Sequence, residues 1–207
     1  MNPEAQFWIT SFTSLFFIVN PFAVVPLFLS LTTRRRPARR ASIALHSSLW
    51  CGAILLLFAV AGSWILKLYG ISIPALKTGG GLILLLVALD MVRSRRSTQE
   101  TPEEMSAAAT RDDIAITPLA MPMLAGPGSI STVIMLMTAA QGMGQAAALL
   151  VSIGMVTLLS YIVLRLAEPL NRILGESGNR ALMRLMGLLL AALAAQFILD
   201  GLKGWRL

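Results

Sequence analysis

The chain has 207 residues, 56% of them hydrophobic and only 13% charged, with a formal net charge of +7. Soluble domains carry roughly 25% charged residues, and a mean hydropathy of +0.75 marks the bilayer as the solvent. Six apolar stretches take up most of the length, which leaves no room for a soluble catalytic domain. A basic balance can signal nucleic-acid binding, but the cations here cluster between apolar stretches, as in membrane topology.

A spanning helix needs about 20 mainly apolar residues, and the stretches at about 6–32, 42–66, 71–92, 114–139, 146–166 and 181–201 qualify. The first lacks a basic leader, since Glu4 is the only charge before Arg34, and reads as a retained helix rather than a cleaved signal. It is interrupted by Asn20-Pro21 and Pro26. Proline removes a backbone donor and clashes with the preceding turn, so the break is expected to face the bundle interior. The second stretch carries His46 near its start, and the third opens near Pro74 and contains Gly79-Gly80-Gly81. Residues 93–113 are polar and of mixed charge, a linker reading; Asp112-Asp113 at its end has no further carboxylates at metal-ligand spacing. The fourth stretch holds Pro118, Pro122 and the run Gly126-Pro127-Gly128. Two half-helices with an exposed backbone turn are predicted there, beginning again at Ser129 as the first stretch does near Ala23. The sixth is predicted to start at Ala181. Cys51, the only cysteine, has no partner for an internal disulfide.

The two halves repeat at a fixed offset of 106 residues: Asn20-Pro21 falls on Gly126-Pro127, Ala75 on Ala181, Gly81 on Gly187 and Leu31-Thr32 on Met137-Thr138. Three spans per half is an odd number, so the second copy enters the bilayer upside down. The fold class is therefore an all-α membrane protein of six transmembrane helices, arranged as two inverted three-helix repeats with helices 1 and 4 broken. The first repeat is 1–92, the linker 93–113 and the second repeat 114–207. Thirteen basic residues fall between helices 1 and 2, 3 and 4, and 5 and 6; the other side has four, Lys67, Lys77, Lys203 and Arg206. The positive-inside rule then places both termini outside the cytoplasm.

Discontinuous helices at matching positions of inverted halves point to a transporter's binding site. A half-helix N-terminus offers unpaired N–H groups and about half a positive charge, and so attracts a carboxylate. Asn20, Pro21, Gly126, Pro127, Gly128 and Ser129 are the candidate substrate-binding residues, with Ser131 and Thr132 as further hydrogen-bonding candidates. No ionised side chain lies near the middle of a span, where a lysine or dicarboxylate carrier would place a counter-charge; a small neutral zwitterion fits. Protons are a candidate coupling ion, with Asp90 and His46 as the ionisable candidates, although a helix-end charge pair with Arg93 and an interfacial histidine explain them more simply. No metal-ligand set, catalytic dyad or triad stands in the spans, so neither enzyme activity nor a cofactor or metal is expected.

The stretches IVNPFAVVPLFLSLT (18–32), YGISIPALKTGGGLI (69–83), PLAMPMLAGPGSIS (118–131) and GESGNRALMRLMGLLLAALAAQFILDGL (175–202) resemble the MarC family of bacterial inner-membrane proteins over essentially the whole length. The wider fold group is similar to LysE-type amino-acid exporters. The resemblance implies six spans in the inner membrane and, as for some relatives, transport of small neutral amino acids such as alanine and glycine. Carried over by motif, it places the functional region at Asn20-Pro21 and Gly126-Pro127-Gly128-Ser129. The expected partners are the lipid bilayer and a neutral amino acid, and a homo-oligomer is compatible with such a chain. The alternative reading is a membrane scaffold or regulatory protein without transport, in which the broken helices are packing devices.

Overall fold

The computed structural model describes residues 3–32, 35–93 and 114–205. The predicted linker therefore lies almost wholly outside the described residues, as do Arg34 and the Asp112-Asp113 pair. Every described element is a helix: α1 (Pro3–Val19), α2 (Pro21–Thr32), α3 (Pro37–Leu68), α4 (Ile73–Val92), α5 (Ala115–Leu124), α6 (Pro127–Ala139), α7 (Gly142–Arg165) and α8 (Ala167–Gly204). Five helical units are long and apolar enough to cross a membrane, counting α1 and α2 as one of 30 residues; the bent pair α5–α6 makes up to six.

Helix starts differ from the sequence reading at Pro21, Pro127, Pro37 and Ala167, and proline explains the first three. Pro21 and Pro127 each open a helix instead of breaking one. At the first helical position the missing N–H has no intrahelical partner to lose, and the ring fixes a helical φ. The half-helices therefore begin two residues earlier than predicted. Pro37 likewise starts α3 at once after Arg36, ahead of the predicted Ser42. The remaining difference is α8, which begins at Ala167, well before Ala181, and bends at Gly175, where φ is +61. The arginines of 172–184 read as a connector in the sequence, but basic side chains ride comfortably on a helix that leaves the apolar layer. An Asn179 to Asn171 side-chain hydrogen bond of 2.6 Å bridges the bend.

α5 is not an ordinary α-helix. Its hydrogen bonds take the wider π spacing, as in Ala125 N–H to the Ala120 carbonyl at 2.8 Å. Thr117 and Met121 hold extended dihedrals (φ −125, ψ 120 and φ −131, ψ 125). Each directly precedes a proline, to which it is joined by a cis peptide bond. The two X-Pro units lie four residues apart within this widened helix.

α4 and α8 pack antiparallel. Gly81 sits against Ala194 and Ile198, Gly187 against Ala88 and Met91, and Gly201 against Pro74 and Thr78. Numbers rise along α4 as they fall along α8. α3 packs on α7, with Gly52 against Thr157. α1 and α2 also lie on α7, while α5 and α6 lie on α3. Leu15, Val24, Leu55, Leu119, Val133 and Leu149 are fully buried in the core these helices enclose. At one end Glu4 lies over Gly144 and Pro74 lies under Gly204. At the other, Arg40 Nε donates to the Thr32 carbonyl at 2.9 Å, and Glu168 accepts from Arg40 at 3.2 Å and from Arg172 at 2.7 Å.

That ion pair is half-exposed, with Glu168 53% accessible, so solvent and salt screen it. Glu168→Gln should change thermal stability by less than about 1 kcal/mol, and the difference should vanish at high ionic strength. A larger, salt-insensitive loss in a melting experiment would show that the pair is more than a surface contact.

Candidate functional site

Helical geometry fails at two places, Asn20 and the Ala125-Gly126 turn. At the first, Asn20 adopts φ +42, a left-handed conformation that asparagine tolerates better than most residues with a side chain. Its N–H closes α1 on the Phe16 carbonyl at 3.0 Å, and its carbonyl and side-chain Oδ1 both accept from Ala23 N–H, at 3.0 and 3.4 Å. Asn20 therefore ends one helix and caps the next. It is buried, and its Nδ2 donates to the Met91 sulfur at 3.7 Å. Phe16 and Phe22 close over the turn edge to face, with ring centroids 6.2 Å apart.

At the second place, α5 and α6 meet at 59°, across Ala125 and the extended cap residue Gly126. The buried Ser129 hydroxyl donates back over the bend, at 2.9 Å to the Gly126 carbonyl and 3.3 Å to the Leu124 carbonyl. Thr132 donates to the Gly128 carbonyl at 2.8 Å. Side-chain polarity here is spent on holding the bend, where the sequence had offered Ser129 and Thr132 as hydrogen-bonding candidates. The backbone is not spent: as the second and third residues of α6, Gly128 and Ser129 carry N–H groups with no intrahelical acceptor, and Phe22 is in the same position in α2.

One stripe of α4 joins the two places. Gly80 packs on Ser131, Leu84 on Gly128, and Met91 on Asn20. Leu84 and Met91 stand roughly 10 Å apart along the helix axis. Ile18 reaches across as well, with its Cγ2 3.7 Å from where a Cβ on Gly128 would stand. α6 runs from Gly128 at Leu84 to Ser131 at Gly80, away from Met91. α2 starts at Met91 and runs toward the Arg40 and Glu168 end. The N-termini of α2 and α6 thus point toward one another across this stretch of α4.

Of the other predicted residues, Pro21 is buried, Gly126 is half-buried and Pro127 is exposed. Asp90, half-buried, directly precedes the Met91 that touches Asn20. His46 lies on the exposed face of α3, its Nδ1 2.7 Å from the Ser42 carbonyl, which makes that nitrogen the donor. Gly80, Leu84 and Met91 were not singled out for the site from the sequence.

The sequence pattern of the MarC family integral membrane proteins matches residues 5–206. The chain belongs to the MarC family. This MarC-family protein is 41% identical to a UPF0056 membrane protein of Methanocaldococcus jannaschii, over 97% of its own length and 98% of that protein's. It is 34% identical to the UPF0056 membrane protein YhcE of Escherichia coli, over 93% and 90% of the two chains. It is 35% identical to the UPF0056 membrane protein YvbG of Bacillus subtilis, over 96% and 95%. The family is thus not confined to bacteria. No solved structure matches the chain. Membership fixes the MarC-family protein as a multi-pass integral membrane protein.

Proposed function

We propose that this MarC-family protein is a secondary transporter of small neutral amino acids, built as two inverted repeats, and that the zwitterion binds at the backbone of the two helix breaks. The observation that carries the reading is the convergence of the α2 and α6 N-termini on one stretch of α4. Each terminus carries about half a positive charge, so the space between them favours a carboxylate. The surrounding side chains, Ile18, Asn20, Leu84, Met91 and Ser129, bear no charge, which suits a solute with no net charge of its own.

The inverted arrangement draws support from reciprocal contacts. Gly81 meets Ala194 and Ile198, while its equivalent Gly187 meets Ala88 and Val92, which are the equivalents of those two residues at the offset of 106. A two-fold relation between antiparallel helices produces such an exchange. By the positive-inside rule the Arg40, Glu168 and Arg172 end is cytoplasmic and both termini lie outside, in the inner membrane of a bacterial cell. Protons are the proposed coupling ion, with Asp90, adjacent to the first break, ahead of His46 on the outer face.

Proteoliposomes loaded with unlabelled alanine should take up labelled alanine by counterflow, and excess glycine should compete whereas lysine should not. Absence of both counterflow and alanine-dependent thermal stabilisation would discard the transport reading in favour of a membrane scaffold.

A further inference from the structure

We propose that the cleft between the start of α3 and the α7–α8 junction binds the phosphate of an anionic phospholipid. A cavity of about 70 Å³ opens there. Phe28, Ala41 and Leu164 give it an apolar floor, and Arg40, Arg165 and Glu168 give it a charged rim. The carboxylate does not spoil the site for an anion. One Glu168 oxygen accepts from Arg40 and the other from Arg172, so its charge is already answered twice. Arg40 is held in place by the Thr32 carbonyl. Arg165 is exposed, and among the described residues it has no hydrogen-bond or ion-pair partner. The rim therefore carries surplus positive charge, with one guanidinium still to be matched.

Depth and surroundings select a lipid over a dissolved phosphate. Arg165 is the last residue of α7, a 24-residue apolar span, so it stands where the hydrocarbon layer gives way to headgroups. Leu158, Ile162 and Arg165 follow one another at i, i+4 and i+7, on one face of α7. Leu158 is 57% exposed and Ile162 40%. That face offers an acyl chain a track leading up to the guanidinium. Leu166 and Ile173 add exposed apolar surface on either side of the junction. A free phosphate ion would use none of it. Basic pockets between membrane helices are a recognised setting for anionic headgroups.

The test uses the full-length protein, purified in neutral detergent and titrated separately with phosphatidylglycerol, phosphatidylcholine and inorganic phosphate. Native mass spectrometry counts retained lipid, and melting temperature reports stabilisation. Phosphatidylglycerol should be retained and should stabilise, phosphatidylcholine should do so more weakly, and inorganic phosphate should have no effect. Arg165→Gln, on an exposed side chain, should melt like the parent without lipid and bind phosphatidylglycerol about five-fold more weakly. Lys67→Gln, at the opposite end, should leave lipid binding unchanged. Equal retention of the two lipids, full stabilisation by inorganic phosphate alone, or undiminished binding by Arg165→Gln would each overturn the proposal.

Discussion

Gly128→Val should destabilise the protein by about 3 kcal/mol, and adding Leu84→Ala should restore part of what is lost. A Cβ at Gly128 would run into Leu84 Cδ2 and stand 2.9 Å from Leu84 Cγ. Leu84 is 3% exposed, in a cluster with Ala88, Leu190 and Ala194, so it has no free space to move into. Overpacking a filled interior costs about 1–3 kcal/mol, and a branched side chain at this contact belongs at the top of that range. Removing the Leu84 side chain makes room for the valine methyls. Thermal unfolding of the parent, both single variants and the double variant gives the coupling directly. The double variant should be more stable than Gly128→Val alone even though Leu84→Ala is itself destabilising. Simple addition of the two losses would mean that Gly128 does not rest on Leu84. The rescued double variant also separates packing from binding, because it keeps the Gly126 cap and the N–H groups of residues 128 and 129 in place.

The second large effect is expected at Asn20. Asn20→Val should destabilise by roughly 2–4 kcal/mol, from a β-branched residue forced to positive φ together with the lost cap on α2. Asn20→Gly should cost far less, because glycine adopts φ +42 freely and is itself an acceptable cap. Melting curves of the two variants decide the matter. If glycine is as damaging as valine, the amide's contacts with Ala23 and Met91 dominate and the backbone conformation is secondary.

These two residues show how far the sequence could be read. Pro-containing interruptions at Asn20-Pro21 and Gly126-Pro127 were visible in the sequence, because proline's constraint is local. What each proline does was less legible: Pro21 and Pro127 open helices, whereas Pro118 and Pro122 widen one, and the difference lies in whether an N–H was needed at that point. The α4 stripe was hidden for another reason. α4 is apolar all round, with Leu84 buried while Leu82 and Leu86 are exposed. When lipid is the solvent, the same residue type serves core and surface, and hydrophobic periodicity no longer marks the inward face. The Gly128–Leu84 contact therefore had no signature beyond a glycine beside a proline. The antiparallel course of α4 and α8 was different: it followed from an odd number of spans per half, which is topology and survives without any knowledge of side chains.

Under the transport reading proposed above, the reciprocal glycine contacts between α4 and α8 would make that seam a hinge pin with no preferred handedness. Tilting one half against the other in either sense would then meet the same local resistance, and the seam could not itself choose which end opens. The bias must come from features that break the likeness. Arg40 and Glu168 are such a feature, since the matching positions at the far end hold Ala146 and Gly62. One end of the molecule carries this charge pair, and the matching positions at the other carry no charged side chain.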